Sequence, residues 1–174
     1  MAKQIKKLIN TGISPALTSE IKVPYYTNLV ASLMYGMYKL IGLGYMPPSN
    51  EATESELIPI IRKGLNWKNL SHLMNTTGLS LQQISSLLHI SERTLHRYKN
   101  DSIFNPEISE RMLELARVYA RGQEVFGNMD RFNQWIHFPA WFLNGCTPLS
   151  YLDTSIGVKL VEDEIGRIEH GVHA

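Results

Sequence analysis

The sequence predicts an all-α protein. Apolar residues recur at intervals of three and four in several stretches, which is the pattern of helices packed on a common core. Helix-start and helix-stop residues separate these stretches, and none of them shows the strict alternation of a half-buried strand. The 174 residues contain neither an internal repeat nor a low-complexity tract. This length allows one domain or two small ones.

Residues 80–100 carry the clearest pattern, two short helices joined by a very short turn. Ser80 and Gln83 have the spacing of a capping box, which predicts a helix over residues 81–88. Ser91 predicts the start of a second helix, so only two residues separate the helices. The apolar residues fall at the spacing of a helix-turn-helix core: Ile84, Leu88, Ile90, Leu95 and Tyr98, with small Ser85 at the approach.

The turn between the two helices carries His89 at a position that is often glycine. Histidine sometimes adopts the left-handed backbone conformation that such a turn requires. The sequence therefore predicts either a left-handed His89 or a slightly different turn.

The outward residues of the second helix predict a DNA-contacting surface. Polar and basic side chains of this kind enter a major groove and bond base edges and phosphates. The alternative is that the motif is an ordinary helix pair in an all-α core. The predicted DNA-binding residues are Ser91, Glu92, Arg93, Thr94, His96, Arg97 and Lys99.

Charge is distributed unevenly along the chain, although the formal net charge is only +1. Residues 62–101 hold six basic and two acidic residues, a local +4. Residues 153–174 hold two basic and five acidic residues, a local −3. A basic part and an acidic part in one chain suit a protein with two different partners.

The first 50 residues are predicted to be an N-terminal extension that serves oligomerisation or a partner contact. Residues 1–24 read as a loosely held basic arm, which either adds phosphate contacts or is a solvated terminus. Residues 27–41 predict a helix rich in Met and Tyr, which suits either a protein interface or the core. We expect at least a dimer, and outside the C-terminal domain we expect its contact to be formed by Leu33, Met34, Met37 and Tyr38. The prolines and acids that follow predict a linker and a domain boundary.

The remaining helix signals divide the chain into a helix-turn-helix domain over residues 51–104 and a C-terminal domain over residues 105–174. Asn105, Pro106 and Gly127 mark the cap, first turn and stop of the longest helix. Thr147 and Thr154 cap the last two helices. The predicted helices outside residues 80–100 cover residues 56–63, 67–75, 105–126, 131–137, one or two turns from 147, and 154–170.

From about residue 57 to the end, the chain resembles antitoxins of the Xre/MbcA/ParS type, in particular those paired with RES-domain toxins. The resemblance rests on residues 88–98 (LHISERTLHRY), 105–127 and 145–174. The last stretch is the most specific, because its Thr-Pro-Leu segment, Leu-Asp-Thr cap and closing GRIEHGV look like the toxin-binding domain of that group.

The resemblance implies an antitoxin that represses its own operon through operator DNA and covers the active site of its cognate RES-type toxin. Such toxins resemble ADP-ribosyltransferases and deplete cellular NAD, so the chemistry would belong to the partner. The other hypothesis is a transcriptional or partition regulator that has no toxin partner. The resemblance implies these toxin-binding residues: Thr147, Pro148, Leu149, Gly166, Arg167, Ile168, Glu169, His170 and Gly171.

Two features of the C-terminal part have a second interpretation. Glu162, Asp163 and Glu164 are consecutive, so they form either a solvated helix face or an acidic face for a basic toxin surface. Residues 166–171 are either a helix C-cap with Gly171 at the stop, or a tail that enters a partner's pocket. The resemblance favours the pocket.

We find no motif for an enzyme, a cofactor or a metal site. The six histidines never pair at metal-ligand spacing with a glutamate between them, and Cys146 follows no nucleophile motif. A single cysteine excludes an intrachain disulfide, and no secretory signal is visible, so we expect a cytoplasmic protein. The most apolar run, residues 29–43, is short for a membrane span.

Overall fold

A computed structural model describes residues 25–44, 54–98 and 102–171 of the chain. Helices dominate this part and it holds no strand, only an isolated bridge between Asn66 and Ile103, which confirms the all-α prediction. Two 3-10 helices cover Glu54–Glu56 and Trp141–Leu143. The α-helices are α1 (Tyr25–Leu40), α2 (Leu57–Lys63), α3 (Trp67–Thr77), α4 (Leu81–Leu87), α5 (Glu92–Arg97), α6 (Pro106–Phe126), α7 (Met129–Ile136), α8 (Pro148–Tyr151) and α9 (Ser155–Glu169).

Helix α6 lies at the centre and contacts α1, α2, α3, α7 and α9. Its start was predicted correctly, because the Asn105 side chain accepts a hydrogen bond from the Ile108 amide at 2.9 Å and proline occupies the first turn. Gly127 ends it in the left-handed conformation at φ 82°. Buried side chains surround the helix on most sides, so α6 is the shared core of the whole described fold: Met112, Leu113, Leu115, Ala116, Val118, Tyr119 and Ala120.

Helix α1 packs on α6 through a close backbone approach. A Cβ atom placed on Gly36 would lie 3.0 Å from the Cβ of Ala120, so small residues on both helices permit the contact. Met37 joins the core around α6, whereas Met34 and Tyr38 pack against Leu57 and Ile60 of α2, and all three are 2–4% exposed. Three of the four residues predicted to form a contact between copies are therefore covered by the chain itself, and Leu33 is partly buried.

Side chains of α3 hold the end of α1 in place. Asn69, His72 and Thr76 bond the carbonyl oxygens of residues 39–41 at 2.9–3.1 Å. The last carbonyl groups of a helix lack partners within the helix, so these three bonds satisfy them. The N-terminal extension, in the part described, is therefore docked on the helix-turn-helix region.

A second close approach fixes the start of α9. A Cβ atom on Gly157 would lie 1.9 Å from the carbonyl oxygen of Tyr151, a backbone atom that cannot move aside cheaply. Thr154 caps the same turn by accepting a hydrogen bond from the Gly157 amide at 3.1 Å. None of the described helices is long and apolar enough to cross a membrane.

We expect Gly157→Ala to lower the free energy of unfolding by about 1–3 kcal/mol, because the added methyl group would meet the Tyr151 carbonyl. Gly166→Ala in the same helix is the matched control, since nothing lies within 4 Å of the added carbon there. That substitution should stabilise the protein by about 0.5–1 kcal/mol through helix propensity. Urea unfolding followed by circular dichroism measures both changes, and equal stability of the two variants would contradict the assigned contact.

Candidate nucleic-acid and protein interfaces

The predicted capping box opens the helix-turn-helix. The Ser80 hydroxyl accepts from the Gln83 amide at 3.2 Å, and the Gln83 side chain accepts from the Ser80 amide at 2.8 Å. The helix that follows buries Ile84 completely and Leu87 almost completely. Local sequence therefore sets the direction of α4, and its apolar face joins the core.

The turn adopts the left-handed alternative, with His89 at φ 53°. The Ser85 hydroxyl donates to the carbonyl of Ile90 at 2.6 Å and closes the turn. The His89 imidazole Nε2 lies 2.8 Å from the carbonyl oxygen of Asp153, in the loop before α9. A residue that allows the tight turn thus also joins it to the C-terminal part of the chain.

Helix α5 separates the predicted DNA-binding residues into two groups. Glu92, Arg93, His96 and Arg97 are exposed around a fully buried Leu95. Ser91 and Thr94 instead bond each other, with the Ser91 hydroxyl also accepting from the Thr94 amide at 3.1 Å. Their first role is to cap and shape the helix. Lys99 lies outside the described residues.

The Thr-Pro-Leu segment begins α8 as predicted, yet most of it is core. The Thr147 hydroxyl accepts from the Ser150 amide at 3.3 Å and caps the helix. Pro148 and Leu149 are buried. Pro148 and Leu149 therefore belong to the core, although Leu149 also lines a surface pocket beside Thr147 and Ser150. Thr147 is the more exposed of the three predicted residues.

Helix α9 lies along α6 through an apolar seam bordered by ion pairs. Val158, Val161 and Ile165 are buried in this seam, as predicted, whereas Ile168 is only partly buried. The seam explains why the helix holds its position in the described chain.

Two arginines of α6 bind acidic side chains of α9 beside this seam. Arg117 donates two hydrogen bonds to the Glu162 carboxylate at 2.8 and 3.2 Å. Bidentate pairs of this kind are stronger than hydrogen bonds between neutral groups. Arg121 pairs with Glu169 in the last turn of α9. The local negative charge of the C-terminal stretch is therefore partly neutralised within the chain.

The predicted tail residues form the end of α9. The Arg167 Nε donates to the Glu164 carboxylate at 2.6 Å, and Gly166 has open space beside it. His170 follows as the C-cap, and Gly171 has the left-handed φ of 65°. Residues 166–171 thus adopt helix-cap geometry in the free chain, with the Arg167 and His170 side chains exposed.

Side chains that were not singled out from the sequence join the helix-turn-helix to the C-terminal helices. Arg111 of α6 donates to the carbonyl oxygen of Leu152 at 2.6 Å and approaches that of Leu87 at 3.5 Å. Asn133 of α7 donates to the carbonyl oxygen of Thr77 at 2.9 Å. Their partners are backbone carbonyls distant in sequence. Because every residue type has a backbone carbonyl, such bonds produce no recognisable sequence pattern.

The sequence analysis also missed a set of exposed apolar side chains in the C-terminal part. They are Phe138, Trp141, Ile156 and Leu160, with 72%, 74%, 78% and 43% of their surface exposed. A signal did exist for the last two, because Ile156 and Leu160 fall outside the buried positions of the α9 pattern. Apolar residues on the outer side of a surface helix depart from the usual amphipathic arrangement.

Titratable groups form no catalytic arrangement in the part of the chain that the structure describes. No three His, Cys, Asp or Glu side chains there come together as a metal site. Burial raises the pKa of the Tyr119 phenol, and burial followed by the charge of Glu56 raises the pKa of Tyr38. Both phenols stay protonated at neutral pH, as core side chains do.

Comparison with known proteins assigns the two regions. Residues 56–117 match the family described as "Antitoxin Xre-like helix-turn-helix domain". Residues 121–171 match the "Antitoxin Xre/MbcA/ParS C-terminal toxin-binding domain".

Two curated proteins are similar to the chain over most of its length. A protein of Yersinia enterocolitica named Antitoxin Xre is 30% identical over 138 residues, which cover 78% of this chain and 89% of that protein. A second Antitoxin Xre, from Photorhabdus laumondii, is 29% identical over 118 residues, which cover 66% of this chain and 73% of that protein.

Replacing Arg111 should weaken the junction between the two matched regions. We expect Arg111→Ala to lower the free energy of unfolding by about 1–3 kcal/mol, because the Leu152 carbonyl loses a charged donor. Arg131→Ala is the control, since Arg131 is exposed on α7 and should change stability by less than about 0.5 kcal/mol. Chemical denaturation of both variants checks this, and equal midpoints would show that the bridge carries no stability.

Proposed function

Because the chain belongs to the Xre family of antitoxins, we propose that it neutralises one toxin protein and represses the operon that encodes both. The supporting observation is that a helix-turn-helix domain and a toxin-binding domain share one core in this chain. We assign DNA binding to the first and neutralisation to the second. In this proposal the chain acts in the cytoplasm, where both partners would be found, and catalyses no reaction itself.

Operator binding would use the exposed side of α5. A recognition helix lies in the major groove, where arginine can donate two hydrogen bonds to guanine. Arg93 and Arg97 lie on this helix four residues apart, so both face outward on the same side, and Glu92 and His96 flank them. Ser91 and Thr94 would act by fixing the start of the helix. Lys99, beyond the described end of α5, would contact phosphate.

Binding to DNA would require at least a dimer. One short recognition helix covers few base pairs, and regulators of this type bind two half-sites about 34–36 Å apart through two-fold symmetry. Since Met34, Met37 and Tyr38 are buried within the chain, another surface must pair the copies. We also propose that residues 1–50, 51–104 and 105–174 divide the work into extension, DNA contact and toxin contact.

The toxin we propose is a RES-domain protein that depletes NAD, as the resemblance of residues 145–174 suggests. Its pocket must admit a dinucleotide with two phosphates, so it should carry positive groups. Glu169 or the terminal carboxylate would occupy the place of those phosphates, and Arg167 would pair with an acidic group. Because Glu169 already binds Arg121 and Arg167 binds Glu164, insertion would exchange internal partners for partners on the toxin.

Loss of the α5 cations should abolish operator binding without unfolding the chain. Arg93→Ala and Arg97→Ala should each relax base preference by about 1–3 kcal/mol, because each arginine would contact a base edge. Lys99→Ala should instead weaken all sequences equally. Fluorescence anisotropy with DNA from the chain's own promoter measures this, with Arg131→Ala as the control. If the variant that combines Arg93→Ala, Arg97→Ala and Lys99→Ala binds the promoter DNA with unchanged affinity, α5 is not the recognition helix.

Removal of residues 166–174 should restore the activity of the toxin although the two proteins remain bound to each other. The buried Val158, Val161 and Ile165 remain in the truncated chain, so the body of the domain should stay folded. Cells that co-express the RES-domain toxin and the truncated chain should lose NAD, whereas cells with the full chain should keep it. If cellular NAD stays at the level seen with the full chain, the tail acts only as a helix cap.

A charge exchange separates two roles of Glu169 in the same assay. Arg121→Glu combined with Glu169→Arg restores an ion pair between α6 and α9 with the charges reversed. If Glu169 enters the toxin pocket, the exchanged variant should fail to protect NAD. Full protection would instead mean that Glu169 acts only by holding α9 on α6.

A further inference from the structure

Helix α9 has apolar side chains on two sides. Val158, Val161 and Ile165 are buried against the core. Ile156 and Leu160, one turn apart, lie outside that seam with 78% and 43% of their surface exposed. A helix that only packed on α6 would carry polar residues at both positions.

The exposed pair begins a stripe that leads to the tail. Residues separated by four and seven positions lie on the same side of a helix, so Ile156, Leu160, Asp163 and Arg167 follow one line along α9. Asp163 and Arg167 are exposed as well. At 1.5 Å of rise per residue, Leu160 lies about 9 Å along the axis from Gly166.

The stripe is presented by a helix that cannot rotate to bury it. Gly157 is in close contact with the Tyr151 carbonyl, and Arg117 holds Glu162 through two hydrogen bonds. Thr154 fixes the first turn, where Ile156 lies. A rigid helix with two apolar side chains one turn apart matches the way amphipathic helices are held in grooves of partner proteins.

We propose that Ile156 and Leu160 are apolar anchors that a groove on the toxin receives. This inference rests on the proposed function, because the occupant is the toxin itself. A toxin whose pocket receives residues 166–171 must extend along α9, and about 9 Å separate that segment from Leu160. The stripe also lies inside the matched toxin-binding domain. The groove must therefore be apolar and lie next to the pocket that the tail blocks.

The test is a binding titration of the full chain with the RES-domain toxin of the proposed function. The variant Ile156→Ala with Leu160→Ala should bind about 10- to 100-fold more weakly, since both side chains lose their buried contact. Alanine favours helix, so α9 should stay folded. Ile58→Ala is the matched control, because Ile58 is 45% exposed on α2, outside the toxin-binding domain, and should leave affinity unchanged.

Each outcome of the titration decides the inference. Unchanged affinity of the double variant overturns it, and so does a loss seen only with Phe138→Ala or Trp141→Ala. A double variant that keeps its toxin affinity but loses the dimer mass in light scattering would assign the stripe to a second copy. Failure of the unmodified chain to bind the toxin overturns the proposed function, and this inference with it.

Discussion

Burial of α6 is the constraint on which the rest of the structure depends. The helix contributes fully or nearly fully buried side chains to the core, including Met112, Leu115, Val118 and Tyr119. Five other helices lie against it, from α1 at one end of the chain to α9 at the other. A helix surrounded in this way cannot be released by one neighbour without exposing apolar surface of the others. The matched helix-turn-helix and toxin-binding regions are therefore parts of one packed unit.

The polar side of α6 positions α9. Arg111 bonds the loop before α9, and Arg117 and Arg121 bond Glu162 and Glu169 on α9 itself. Three arginines on one helix thus set the position of the segment that we propose contacts the toxin. Since Arg111 also approaches the end of α4, one side chain lies between the two functional parts.

Each of the two predicted sets of site residues contains exposed side chains together with side chains that cap a helix or lie in the core. In the DNA-binding set, Ser91 and Thr94 bond each other while Arg93 and Arg97 are free to reach outward from the helix. In the toxin-binding set, Pro148 and Leu149 are core, whereas Arg167 and His170 are exposed. A family motif includes residues that shape the fold of a site as well as residues that are exposed to a partner. The sequence does not separate them.

Local chemistry was sufficient for the sequence to predict the helices and the starts of those with a recognised N-cap, whereas α7 begins at Met129, two residues before the predicted start. Ser80, Ser91, Asn105 and Thr154 each accept a hydrogen bond from the amide three positions ahead, so the information for these caps lies within one turn. The left-handed His89 is one of the two turn geometries that the sequence predicted. The all-α class and the family resemblance rest on the same short-range patterns.

Long-range packing decided what no local pattern contains. The burial of Met34 and Tyr38 depends on the packing of α1 against Leu57 and Ile60 of α2. The approach of α1 to α6 depends in turn on Gly36 and Ala120, which lie 84 positions apart. The bond of Arg111 to the Leu152 carbonyl spans 41 positions and leaves no constraint on the residue type at 152. Which apolar residues of α9 face outward likewise depends on where α6 lies. Side-chain periodicity establishes that a helix has a buried side, but only its neighbours determine which residues are left exposed.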